Sequence, residues 1–196
     1  MAMSDFRLRT LAIVHQWVRA VIERGDTVID ATVGNGHDTL FLSQEVGEKG
    51  SVIGFDIQDE AVCRTREALS KRAGLGQVDL YVDCHSNMKK YCQDEVGVVM
   101  FNLGYLPKGD KSIITEEKST LAALEASLSL LKPGGLVTIM CYPGHAGGAD
   151  EAGAVERWAA TLETPEYLVM RLSPHNPKSP APYLIAVQKN TPRKFT

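Results

Sequence analysis

At 196 residues, with 44% apolar and 23% charged residues, the chain is long enough for one globular core, and no apolar run approaches the ~20 residues of a membrane span. A net charge of −3 argues against coating nucleic acid by bulk electrostatics and leaves room only for local basic patches. Cys63, Cys84, Cys92 and Cys141 form no CxxC pair, and the start Met-Ala-Met-Ser-Asp-Phe-Arg-Leu-Arg lacks the apolar core of a secretory signal, so the expectation is a reduced, cytoplasmic protein with no metal and no membrane partner.

In chain order, apolar periodicity alternates between helix and strand lengths, the mark of an α/β fold. An opening helix, about Phe6 to Glu23, places Leu8, Leu11, Ile13, Val14, Trp17, Val18, Val21 and Ile22 largely on one face. Strand one is Thr27 to Ala31, followed by a helix from His37 to Val46. Strand two is Ser51 to Asp56, and Asp59 is placed to cap a helix running to about Ala73. Strand three, Val78 to Asp83, leads through Cys84-His85-Ser86-Asn87 into a short helix, and strand four is Val96 to Phe101. A long loop, Asn102 to about Ile114, precedes a helix from Glu116 to Leu131 that Lys132-Pro-Gly-Gly should stop. Strand five is Leu136 to Cys141, and the irregular loop Tyr142 to Gly148 leads to a helix from about Asp150 to Leu162. Strands near Glu166 to Leu172 and from Tyr183 to Gln188 close the chain. The expectation is a Rossmann-like domain spanning residues 1–196, its seven-stranded sheet mostly parallel with an antiparallel last strand. Residues 1–24 would pack on the core or lid it, and ligands would lie outside the carboxyl ends of the strands.

The stretch Val28-Ile-Asp-Ala-Thr-Val-Gly-Asn-Gly-His-Asp-Thr39 runs from a strand through a Gly-containing turn into a helix, where free backbone amides can meet a ligand. Asp56 follows about 20 residues later, at the end of the second strand, where such folds hold ribose hydroxyls. Thr32 replaces the first Gly of the dinucleotide fingerprint, and Asp30 suits a cationic partner, which favours S-adenosylmethionine over NAD. Asp30, Thr32, Gly34, Asn35, Gly36, Asp38, Thr39, Asp56 and Gln58 are therefore the candidate cofactor site. Asp83 with His85 on the loop after strand three joins it at the adenosine.

After strand four, Asn102-Leu-Gly-Tyr-Leu-Pro107 resembles the Asn/Asp-Pro-Pro-Tyr signature of amino-directed methyltransferases. The resemblance implies that Asn102, also placed against the cofactor, accepts a hydrogen bond from the target amine while Tyr105 stacks on its base. His145, in a Gly-rich loop at the same edge, is the first candidate for taking the amine's proton. Gly104, Leu106, Pro107, Lys108, Asp110, Lys111, Tyr142 and Gly147 are the candidate substrate contacts, the two lysines toward phosphate.

Asp30-Ala-Thr-Val-Gly-Asn-Gly-His-Asp-Thr39, Gly54-Phe-Asp-Ile-Gln58, His85 with Asn87, Phe101-Asn-Leu-Gly-Tyr-Leu-Pro107, Asp110-Lys-Ser-Ile and Tyr142-Pro-Gly-His-Ala-Gly-Gly148 together resemble the bacterial proteins long labelled rRNA methylases. That family is understood as class I methyltransferases of tRNA 5-aminomethyl-2-thiouridine, and the resemblance runs from His15 to Pro182. It implies conversion of the 5-aminomethyl group of uridine 34 into 5-methylaminomethyl, with the tRNA anticodon stem-loop as partner and His15 as a lid contact. A homodimer is an open arrangement. The family tail has Asn followed by Pro-Pro, where this chain has Asn176 followed by Pro180-Ala-Pro182. Two other readings stay open, an rRNA or small-molecule amine N-methyltransferase and a non-catalytic adenosyl-binding module.

Overall fold

Short β-branched runs such as Thr27-Val-Ile-Asp30 and Val96-Gly-Val-Val-Met-Phe-Asn102 are buried on both faces, as central parallel strands must be. In the computed structural model, which describes residues 10–104 and 114–191, they form the middle of a seven-stranded sheet. The elements in order are α1 (Thr10–Val21), β1 (Thr27–Asp30), α2 (His37–Val46), β2 (Ser51–Asp56), α3 (Asp59–Ser70), β3 (Gln77–Val82), a 3-10 segment (His85–Lys90), β4 (Val96–Asn102), α4 (Glu117–Leu130), β5 (Leu131–Cys141), α5 (Gly148–Ala160), β6 (Tyr167–Leu172) and β7 (Tyr183–Lys189).

The strand order is β3-β2-β1-β4-β5-β7-β6, with β7 antiparallel to both β5 and β6. The doubly wound sheet with an antiparallel closing pair is thus the observed one. Successive residues point to opposite faces, so Val28, Val98 and Met100 meet Val14, Val18, Phe41 and Leu42 of α1 and α2. Ile29, Val99 and Phe101 pack instead with Leu124, Val155 and Trp158 of α4 and α5. The order reverses between β1 and β4, and the cleft opens there, between Ala31-Thr32 and Asn102.

Several boundaries differ from expectation by a few residues, and four of the differences have a local reason. Asp59 is the first residue of α3 rather than its cap; Gln58 occupies that place with no side-chain bond, and the Asp59 carboxylate turns to the Cys63 thiol. Residues His85, Ser86 and Asn87 lie inside the 3-10 segment, because Asp83 Oδ1 accepts from the Cys84 amide at 2.7 Å and from Asn87 Nδ2 at 2.8 Å and tightens the turn. Helix α4 ends at Leu130, before Lys132-Pro-Gly-Gly135, since Leu131 already pairs with Val96. The register then shifts so that Leu136 faces Val98, and Lys132 in the shifted segment reaches Asp26 at 2.7 Å. Helix α5 opens earlier than expected, at Gly148, with Gly147 before it in a left-handed conformation at φ 77°. Among the described residues no helix is long and apolar enough to cross a membrane.

Candidate active site

The carboxyl ends of β1, β2 and β4, with the loop after β3 and the start of α4, enclose a cleft of about 300 Å³. On its floor, Asp56 ends β2 with Oδ2 accepting from the Gly34 amide at 2.8 Å and Oδ1 from the Gln58 amide at 2.9 Å. Each oxygen keeps a further lone pair, so the carboxylate is oriented but still able to accept two ribose hydroxyls. Ile57, 52% exposed, offers an apolar face beside it.

Across the cleft, Asp83 is fixed by Cys84 and Asn87 and by the Tyr91 hydroxyl, which donates to Oδ2 at 2.7 Å. These bonds hold its carboxyl below the usual range, the Tyr91 bond most of all. His85 is buried, and burial pushes its imidazole down, toward the neutral form. Its Nδ1–H donates to the Ala31 carbonyl at 3.2 Å, so Nε2 is a bare acceptor, and it has no partner among the described residues. A buried acceptor in the cleft lining, a carboxylate pair and an apolar platform fit an adenosyl group with its hydroxyls and amino donor.

Beneath the floor, Asp30 and Thr39 are fully buried. Asp30 accepts from the Thr32 amide at 3.2 Å and from Thr39 Oγ1 at 2.6 Å. Both residues support the Gly-containing turn rather than line the cleft, so Asp30 can act on a cationic ligand only through space. Gly36 is likewise structural: at φ 75° it lies against Thr65 of α3, where an added Cβ would stand 2.5 Å from Oγ1. Asn35 is exposed outside the cleft. Gly34, Thr32 and Gln58 line it.

Asn102 lines the cleft at the end of β4. Its backbone amide donates to Thr32 Oγ1 at 2.7 Å, and its side-chain Nδ2 donates to Asp38 Oδ2 at 2.7 Å. A carboxylate can only accept, so the amide is held with Nδ2 on Asp38, and Oδ1 is its acceptor end. Gly104 follows at φ 128°, and its amide donates to the Thr115 hydroxyl at 2.8 Å, which in turn donates to the buried Glu151 at 2.7 Å. The His145 ring packs on this turn, since a Cβ on Gly104 would meet His145 Nε2 at 3.1 Å and one on Gly148 would meet it at 2.7 Å. The fold thus brings His145 to the Asn102 loop. Tyr142 is 36% exposed and Gly147 is exposed, and neither lines the cleft. Tyr105, Leu106, Pro107, Lys108, Asp110 and Lys111 lie outside the described residues.

The model of the family described as "Putative rRNA methylase" matches residues 52–188. The chain belongs to this family. It is 39% identical over 193 residues to a "tRNA (mnm(5)s(2)U34)-methyltransferase, chloroplastic" of Arabidopsis thaliana, covering 93% of this chain and 70% of that protein. Among solved structures, a "putative rRNA-methylase" from Clostridium thermocellum superposes with a TM-score of 0.91 at 39% identity, covering 94% of this chain and 99% of that one. A "putative methyltransferase" from Streptococcus mutans in complex with SAH superposes with a TM-score of 0.85 at 34% identity, covering 94% and 99%. The fold of this rRNA-methylase family member is the class I methyltransferase fold.

Sequence reasoning missed Thr115, Glu116 and Ser119, which line the cleft from the far side of the loop. They carry no motif, and only the return of the chain to Gly104 brings them in, through the Thr115 amide on the Gly104 carbonyl at 2.9 Å.

Asp30 also makes the family member's stability depend on pH. Burial, with the Asp38 carboxylate second, raises its pKa from 3.8 to about 7. The folded state therefore holds a proton that the unfolded chain releases, and stability from this group is full below about pH 4 and lost as pH rises through about 7. Asp30→Asn keeps an acceptor for the Thr32 amide and cannot ionise. Urea midpoints should fall between pH 5 and 8 in the wild type and stay nearly level in this variant; equal slopes would exclude Asp30 as the titrating group.

Proposed function

We propose that this protein methylates the primary amine of 5-aminomethyl-(2-thio)uridine at position 34 of tRNA, using S-adenosylmethionine. The observation that carries the reading is the Asn102 carboxamide, pinned by Asp38 at 2.7 Å so that its oxygen is offered to the cleft, where an amine N–H can donate to it. The tRNA substrate and position are those named for the Arabidopsis relative.

When bound along Asp56, Asp83 and His85, S-adenosylmethionine supplies a methyl carbon activated by its sulfonium. The protein's own work is to hold a neutral nitrogen in line with that carbon. Asn102 orients the amine without placing a charge beside it, and Tyr105 is proposed to stack on the uracil. A free aminomethyl group is protonated at neutral pH, and enclosure against the apolar walls lowers its pKa. His145, beside Gly104, takes the released proton to solvent. Lys108 and Lys111 are proposed to contact phosphates of the anticodon stem-loop.

Purified protein supplied with labelled cofactor should methylate tRNA that carries 5-aminomethyluridine and ignore the same tRNA without the aminomethyl group. Nucleoside mass analysis should find the label in 5-methylaminomethyluridine. Equal label in unmodified tRNA or ribosomal RNA would overturn the reading.

A further inference from the structure

We infer that His15, on the opening helix, is a positioning residue of the methyl-transfer site and acts through Asp38 on the Asn102 carboxamide. The inference rests on the reading of Asn102 as the amine acceptor.

Asp38 is 7% exposed, and its two oxygens are divided between two donors from distant parts of the chain. Oδ2 takes Asn102 Nδ2 from β4, and Oδ1 takes His15 Nε2–H from α1, each at 2.7 Å. His15 is itself fixed, its ring stacked on Phe41 of α2 with centroids 3.9 Å apart and planes within 7°. Asp30, whose buried carboxyl is raised in part by Asp38, and the Tyr142 hydroxyl are ionisable neighbours of Asp38 among the described residues besides His15. Charge on Asp30 repels the Asp38 carboxylate, and the two donors oppose that repulsion.

A primary carboxamide presents either a carbonyl or an NH₂ to the cleft, depending on which end is tied down. With His15 in place, Asp38 is clamped at both oxygens and has one orientation. Without it, Oδ1 loses its donor, the carboxylate can rotate toward water, and the Asn102 amide is free to flip. A flipped amide would present N–H to the amine, where it either opposes an amine N–H or ties up the lone pair needed for attack. His15 thus sets which chemical class the site accepts, hydrogen-bond donors, without touching the substrate.

His15→Phe keeps an aromatic ring against Phe41 and removes the ring nitrogens, the donor to Asp38 among them, while His15→Gln can again donate to Asp38. The Asn102 side-chain amide is followed by ¹⁵N NMR of the whole chain bound to S-adenosylhomocysteine, and assigned by its loss in Asn102→Asp. In the wild type its two protons should be well separated and slow to exchange with water. In His15→Phe they should converge and exchange about tenfold faster at unchanged Tm, and His15→Gln should restore them. With aminomethyluridine tRNA, His15→Phe should lower kcat about tenfold at unchanged KM for the cofactor, and His15→Phe with Asn102→Ala should be no slower than Asn102→Ala alone. Wild-type amide signals in His15→Phe, or kcat losses that multiply in the double variant, would overturn the inference. A wild-type enzyme inert toward aminomethyluridine tRNA would instead overturn the substrate reading, and the amide signals would still decide the role of His15.

Discussion

Asn102→Ala should lower kcat by about a hundredfold or more, the scale on which a misaligned reacting group loses its advantage, while affinity for the cofactor changes far less. The asymmetry follows from where the side chain is tied. Its backbone amide, which survives the substitution, holds the end of β4 to Thr32 at 2.7 Å and so preserves the cleft wall. The carboxamide, which does not survive, donates to Asp38 rather than to Asp56, and its oxygen is the acceptor proposed for the incoming amine. An interaction used to align the nucleophile appears in kcat and kcat/KM together. Single-turnover kinetics beside calorimetry of cofactor binding separates the two, and a variant with wild-type kcat would remove Asn102 from the reaction.

Asp56→Ala should have the complementary signature, weakening cofactor affinity by about ten- to a hundredfold, as expected for losing charge-assisted bonds of about 1.5–3 kcal/mol. Two effects act in one direction. The ribose loses its carboxylate acceptor, and the Gly34 and Gln58 amides, now held at 2.8 and 2.9 Å, lose theirs. The turn after β1 is then less ordered before the cofactor arrives. At saturating cofactor the rate should recover most of its wild-type value, because no group facing the amine has changed. Wild-type affinity in calorimetry would take Asp56 out of the cofactor site.

Much of the fold was legible in the chain because it rests on local pattern. Strand runs such as Val28-Ile29 and Val98-Val-Met-Phe101 are apolar throughout, and helices α2 to α5 follow strands at lengths that permit parallel crossovers. The Gly34–Gly36 turn with Asp56 was legible as one edge, which the structure joins through the Gly34 amide, since a turn that needs a left-handed glycine and a strand-end carboxylate are both written in residue type. Local pattern also misled where a side chain found a different partner, as at Asp59 and at Asp83 with the 3-10 segment.

The sequence by itself determined the chain order of strands and helices and the class of cofactor. Only the tertiary structure decided which of the polar residues around the turn after β1 face the cleft. Asp30 at the end of β1 and Thr39 and Asp38 in α2 are all polar, yet the first two are sealed beneath the floor and the third is shared by His15 and Asn102, which come from α1 and β4. Residue type states what a group can donate or accept. Which partner it meets depends on contacts across 23 and 64 residues of chain, and these exist only once the sheet has brought its strand ends together.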